Sequence, residues 1–200
     1  MDCQRDFPAG RFFWDGHRLE DNYPRLLSWI IRYVGAAQGG LYLFKEESDE
    51  AVLEMVACYA YSQDQFLKKT FYVGESLVGT CYQQKKEIHL EHIPESYACI
   101  QSATGKMPPR NLLLIPIEFH RQVEGVIEIA SLDRLKHNEI DFVRKGAQKI
   151  AAAIVRDKMD RQIQSLLHKE RYASPPWIPE AHINGSATRE HLRGQGDISF

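Results

Sequence analysis

Apolar residues return every three or four positions near the start of the chain: Tyr23, Leu26, Leu27, Ile30, Ile31 and Val34. That spacing predicts one buried face of a helix. Asn22 is placed to cap it, Pro24 is tolerable in a first turn, and Gly35 followed by Gly39 and Gly40 supplies the stop. The period then changes. Leu41, Tyr42, Leu43 and Phe44 read as a strand that ends at the acidic turn 46–50. Over 51–61, Leu53, Met55, Ala57 and Tyr59 alternate with Val52, Glu54, Val56 and Cys58, a second strand that pairs with the first as a hairpin. A short strand is expected over 69–73, a turn at Gly74-Glu75-Ser76, a short helix over 77–85 and an extended piece over 87–90. Residues 91–110 show neither period. Long irregular stretches inside compact domains often carry function. Two further strands, 111–119 and 123–131, flank the polar turn His120-Arg121-Gln122. Gly125, inside the second, marks a bulge or a close backbone approach.

The last helix is expected from residue 136 to residue 171. Ile140, Val143, Ala147, Ile150 and Ile154 follow the three-four alternation of a helical seam, and the phase then shifts to Val155, Met159, Ile163, Leu166 and Leu167. Such a helix outlasts the core of a small domain. Its stripe is therefore expected to pack on a second copy, with Ile140, Val143, Ala147, Ile150, Ile154, Met159 and Ile163 as the dimer seam. An aspartate at Ile150 or Ile154 should then yield a monomer. The order helix, hairpin, strand, short helix, loop, strand pair, long helix defines an α+β layout, with helices against an antiparallel sheet. Four segments result: an arm over 1–18, a domain over 19–155, a helical extension over 156–172, and a tail over 173–200 that is rich in proline and glycine and expected to be disordered.

Composition narrows the function classes. The net charge is −2 in 200 residues, with no basic face of the kind that nucleic acid requires. The longest apolar run, 112–117, is far short of the roughly 20 residues that cross a bilayer. Residues 1–11 lack the apolar core of a secretory signal, so a cytoplasmic location with no membrane partner is expected. The four cysteines, Cys3, Cys58, Cys81 and Cys99, have no zinc-like spacing and are expected as free thiols. His89, Glu91 and His92 make at most half a metal site, so surface roles are expected, with no metal and no cofactor.

Five segments in order resemble the GAF family: Gly39-Gly40-Leu41-Tyr42-Leu43-Phe44, Val56-Ala57-Cys58-Tyr59-Ala60-Tyr61, Val73-Gly74-Glu75-Ser76-Leu77-Val78-Gly79, Pro109 through Ile117, and Val123 through Ser131. Ser76 stands where the family usually has glycine. The look is nearest to GAF modules of bacterial sensor kinases, on Ile93-Pro94-Glu95-Ser96-Tyr97 and Ser102-Ala103-Thr104-Gly105. The resemblance implies a central antiparallel sheet flanked by N- and C-terminal helices, a long C-terminal signalling helix, and a non-catalytic module that senses a small molecule or redox state. It also implies an output partner, a histidine kinase or another signalling domain; the sequence has no kinase signature of its own. Ser131-Leu132-Asp133-Arg134-Leu135 lacks the Asn-Lys-x-Phe-Asp signature of the cyclic-nucleotide branch, and no cysteine beside a histidine marks a bilin site.

The pocket candidates are Tyr97, Cys99, Gln101, Ser102 and Thr104 in the loop, with Glu128 on the last strand. The competing reading makes the loop a lid over a filled core. Glu118 and Glu128 have outward or pocket-facing options, and isolated strand carboxylates more often face solvent. Tyr97-Ala98-Cys99 resembles a segment of the GAF-fold reductases that act on free methionine sulfoxide. Those enzymes carry a further cysteine in the turn where this chain has Val78. A redox pair of Cys81 and Cys99 is a milder version. The plain alternative is that Cys58, Cys81 and Cys99 are small core residues. A pure dimerisation or interaction module remains the third reading.

Overall fold

The computed structural model describes residues 18–47, 50–61, 70–91, 93, 100–102 and 105–172. Its elements are α1 (Leu19–Val34), β1 (Gln38–Glu47), β2 (Glu50–Tyr59), β3 (Thr70–Tyr72), α2 (Ser76–Gln84), β4 (Ile88–Leu90), β5 (Ile100–Ser102), β6 (Gly105–Met107), β7 (Asn111–Phe119), β8 (Gln122–Ser131) and α3 (His137–Tyr172). Six strands form one antiparallel sheet in the order β3-β2-β1-β8-β7-β4, and β5–β6 is a separate hairpin within the stretch expected to be irregular. This is the expected α+β fold. The arm up to residue 17 and the tail from residue 173 lie outside the described residues. Two compact units divide the chain, Met1–Gln162, which holds the sheet, and Ile163–Phe200, which holds the end of α3.

Two details of α1 differ from expectation. The helix begins at Leu19, with Arg18 as its N-cap residue and Glu20 and Asp21 in the first turn. Leu19 is buried in phase with Tyr23, Leu26 and Ile30, so the apolar stripe starts a turn earlier, and acidic side chains suit the positive helix end. Asn22 is therefore inside the helix and buried rather than a cap, and its Nδ2 has no hydrogen-bond partner among the described residues. Gly35 does end the helix in the left-handed conformation (φ 65°). Gly39 and Gly40 belong to β1 instead of the stop. A β-carbon on Gly39 would lie 2.4 Å from Ile31 Cδ1, so the missing side chain is what lets α1 lie close on the sheet.

Both faces of the sheet are covered, and the alternation of β7 and β8 sorts the residues. Leu113, Ile115 and Ile117 of β7 and Ile127 and Ile129 of β8 join α1 in one cluster. Leu112, Leu114, Val126 and Ala130 point the other way, with Tyr42, Leu53, Met55 and, from α2, Val78 and Cys81. Bulges shape the sheet at two places. Leu41 pairs with Ala57 and Tyr42 with Met55, so Val56 is the extra residue of β2. Ile117 pairs with Gly125 and Glu118 with Val123, so Glu124 is the extra residue of β8. The expected close approach at Gly125 is present: a β-carbon there would lie 2.1 Å from the Tyr42 carbonyl oxygen.

The helical seam divides. Ile140, Val143, Ala147, Ile150 and Ile154 are buried in the chain's own cluster with α1 and the sheet, so the expectation that they face a second copy is corrected. The same three-four spacing serves an intrachain helix pair as well as a coiled coil, and α1 presents the complementary stripe. Phe142 stacks on Tyr33 with ring centroids 3.7 Å apart. Met159, Ile163, Leu166 and Leu167 are exposed. Ile150→Asp should accordingly unfold the domain, at a cost above about 4 kcal/mol, rather than release a folded monomer. Far-UV circular dichroism with size-exclusion chromatography checks this, and a folded monomer would contradict it.

Candidate functional site

The site is built on the sheet face opposite α1. Glu128 lies in the middle of β8, where Val126 and Ala130, its neighbours on the same face, are apolar. It is only 9% exposed, which overturns the expectation that an isolated strand carboxylate faces solvent. Across the β1–β8 ladder its partner is Gly40, and Gly40 pairs with Cys58 on the other side. A β-carbon on Gly40 would sit 2.8 Å from Tyr42 Cε2 and 3.0 Å from the Tyr42 hydroxyl. Gly40 thus leaves the space over which the Tyr42 ring lies back, and the ring delivers its hydroxyl to Glu128.

Two phenols meet one carboxylate oxygen. Tyr42 Oη donates to Glu128 Oε2 at 3.0 Å, and Tyr61 Oη donates to the same oxygen at 3.2 Å. Tyr61 follows β2 directly, after Ala60 in the left-handed conformation (φ 56°). Phe71 of β3 stands against Tyr42, with centroids 5.7 Å apart. Among the described residues, Oε1 has no hydrogen-bond partner and no cation contacts the carboxylate. Glu124, four positions earlier on the same strand, is as deeply buried and pairs with Lys158.

Burial therefore governs the electrostatics. It raises the Glu128 carboxyl above its ordinary value, against the two phenol hydrogen bonds, which favour the charged form. Tyr42 and Tyr61 are raised by burial and then by the nearby carboxylate, so both hydroxyls stay protonated and remain donors. The arrangement presents a carboxylate with one free oxygen and two phenol oxygens in an apolar setting. It can bind and orient a polar group. It offers no activated nucleophile.

The cysteine reading fares differently. Cys81 is fully buried in α2, and its thiol donates to the Lys86 carbonyl at 3.2 Å. Burial, and secondarily Glu87, pushes it up to about 12, the opposite of what a reactive thiolate requires. Cys81 is thus packed in the core, and its expected redox partner Cys99 lies outside the described residues. Tyr97, Cys99 and Thr104 lie outside the described residues, as does His92. Gln101 and Ser102 lie on β5. Among the described residues no group of three or more His, Cys, Asp or Glu could hold a metal ion, and His89 Nε2 is 2.8 Å from Asn111 Oδ1. No helix among them is long and apolar enough to cross a membrane.

The turn before α2 explains one departure noted in the sequence. Ser76 has φ 63°, a left-handed conformation that costs glycine nothing, and its hydroxyl is buried without a partner among the described residues. Sequence reasoning missed Gly40, Tyr42 and Tyr61 as site residues. The available signal was a glycine two positions before a tyrosine on one strand, and a glutamate flanked by Ile127 and Ile129 on β8.

A curled six-stranded antiparallel sheet flanked by N- and C-terminal helices defines an α+β architecture of the GAF type. The GAF domain family model matches residues 16–155, and the chain belongs to that family. The fold is similar to the GAF domain of a phosphoenolpyruvate-protein phosphotransferase from Coxiella burnetii, with 19% identity, a TM-score of 0.61, and coverage of 77% of this chain and 92% of that one. It is also similar to the second GAF domain of DevS from Mycobacterium smegmatis, at 14% identity and TM-score 0.54, covering 70% and 96%. A type II free methionine-R-sulfoxide reductase from Thermoplasma acidophilum aligns at 11% identity and TM-score 0.53, covering 68% and 91%. No curated protein matches the chain in sequence.

The raised Glu128 carboxyl has a signed consequence for stability. The folded state holds the proton more tightly than the unfolded state, whose value is the ordinary 4.5. This contribution is fully present below about pH 4.5 and is lost as pH rises through the folded value. Glu128→Gln cannot ionise. Its stability relative to the natural protein should therefore rise as the pH increases above about 4.5 in urea denaturation. A difference that is constant or falls would contradict the assignment.

Proposed function

We propose that the chain is a non-catalytic sensory GAF domain that binds a small molecule on the Glu128 face. GAF domains generally bind small molecules in signalling. The observation that carries the reading here is the buried carboxylate, which holds two phenol hydroxyls on one oxygen and leaves the other without a partner among the described residues. The loop residues Tyr97, Cys99, Gln101, Ser102 and Thr104 complete the pocket in this reading. Redox sensing through Cys81 is disfavoured by its inert, buried thiol.

The relay runs through helix α3. Ile127 and Ile129, on either side of Glu128, lie in the same buried cluster as Ile140, Val143 and Ile150. A shift of β8 on ligand binding would be felt by the helix, since packed interfaces change between discrete arrangements. The dimer seam of this reading begins only at Met159 and continues through Ile163, Leu166 and Leu167, whose exposed three-four spacing suits a second copy of the same helix. An output histidine kinase or other signalling domain would receive the change.

Native mass spectrometry of the freshly purified chain tests both parts. A dimer carrying a reproducible small extra mass is expected, and Ile163→Asp should give a folded monomer that retains that mass. A bare monomer in the natural protein, or a dimer that survives Ile163→Asp together with Leu166→Asp, would contradict the reading.

A further inference from the structure

We propose that the ligand of the Glu128 face is a small organic cation bearing a protonated primary amine, held by Glu128 between the phenols of Tyr42 and Tyr61. The inference rests on that face being the ligand site, and it names the chemical class the site selects.

The comparison of two glutamates on one strand carries it. Glu124 and Glu128 are both buried on β8. Glu124 pairs with Lys158. Glu128 meets no cation among the described residues; its contacts there are two neutral phenols, both on Oε2. A buried carboxylate without a positive partner is costly, and a ligand that brings the charge removes that cost. An ammonium group has three donors. Glu128 Oε1 is an acceptor without a partner among the described residues, and the two phenol oxygens on Oε2 keep lone pairs that can accept as well. The aromatic rings of Tyr42 and Phe71, 5.7 Å apart, stand in the same cluster, and aromatic rings attract cations.

The alternatives fit less well. A calcium or magnesium ion needs six or more oxygen ligands, and among the described residues Glu128 belongs to no group of three or more His, Cys, Asp or Glu that could hold a metal ion. An anion would oppose Glu128 directly, and Tyr42, Phe44, Leu53, Met55, Cys58, Tyr61, Val126 and Ala130 supply no positive charge to offset it. Among the described residues, the titratable groups around the site are Glu128 itself, Tyr42, Tyr61 and Cys58.

The experiment is isothermal titration calorimetry at pH 8 with methylammonium, butylammonium and benzylammonium chlorides, with benzyl alcohol and benzoate as neutral and anionic counterparts. The full chain and its Glu128→Gln variant are compared. The glutamine carbonyl can still accept from both phenols, and circular dichroism checks the fold. At least one amine should bind the natural chain, and Glu128→Gln should weaken it by about tenfold or more. In the natural chain alone, amine affinity should fall as the pH is lowered and Glu128 takes up its proton, a readout that needs no variant. Tyr61→Phe, which keeps the carboxylate, should retain amine binding in weakened form. Amine binding that Glu128→Gln leaves unchanged would overturn the proposal. Binding of benzyl alcohol or benzoate in place of the amines would overturn the cation and leave the ligand site standing. Failure of every probe at millimolar concentration would overturn both.

Discussion

A carboxylate placed in the apolar interior of a sheet face is the constraint from which the rest of the site follows. Glu128 stays there because Tyr42 and Tyr61 donate to it, and charged acceptors make such bonds about twice as strong as neutral ones. Tyr42 reaches it only because Gly40 has no side chain. Gly40 faces Glu128 only in the present β1–β8 register. One residue of slippage would turn Glu128 into the helix-side cluster and Ile127 and Ile129 out of it. Gly125 protects the same register, since its backbone passes closer to Tyr42 than any side chain would allow. Site and sheet are thus one specification.

The two faces of the sheet divide the labour. The helix side is filled by the chain itself: α1, the first half of α3 and the inward residues of β7 and β8. The other side is less uniform, with tyrosines, a glutamate, a cysteine and a methionine among its aliphatic residues. Strands β1 and β8 belong to both. Leu41 and Tyr42 are consecutive and point to opposite clusters, as do Ile127 and Glu128. That adjacency is the physical basis on which a change at Glu128 would reach the helices.

Much of the fold was legible in the sequence. Periodicity found α1, the β1–β2 hairpin, β7, β8 and α3, because each has one or two buried faces that impose a period. The boundaries were less legible. Asn22 looked like a cap because local pattern cannot reveal that Leu19 has a core to pack on. Gly39 and Gly40 looked like a stop because their role, close contact with Ile31 and Tyr42, is tertiary. The seam from Ile140 to Ile154 looked intermolecular because a helical stripe does not name its partner. The site was half legible. Glu128 was a pocket candidate, yet a strand carboxylate read alone favours solvent; its phenol partners come from β1 and from beyond β2, and only strand pairing brings them together.

The most direct test is a pH titration of the Glu128 side-chain carboxyl by carbon-13 NMR, assigned by its loss in Glu128→Gln. A buried carboxylate held by two phenols with no positive partner should titrate with a midpoint above the ordinary 4.5. A midpoint at or below that value would mean that solvent or a cation already satisfies the group, and would contradict the site described for this GAF domain.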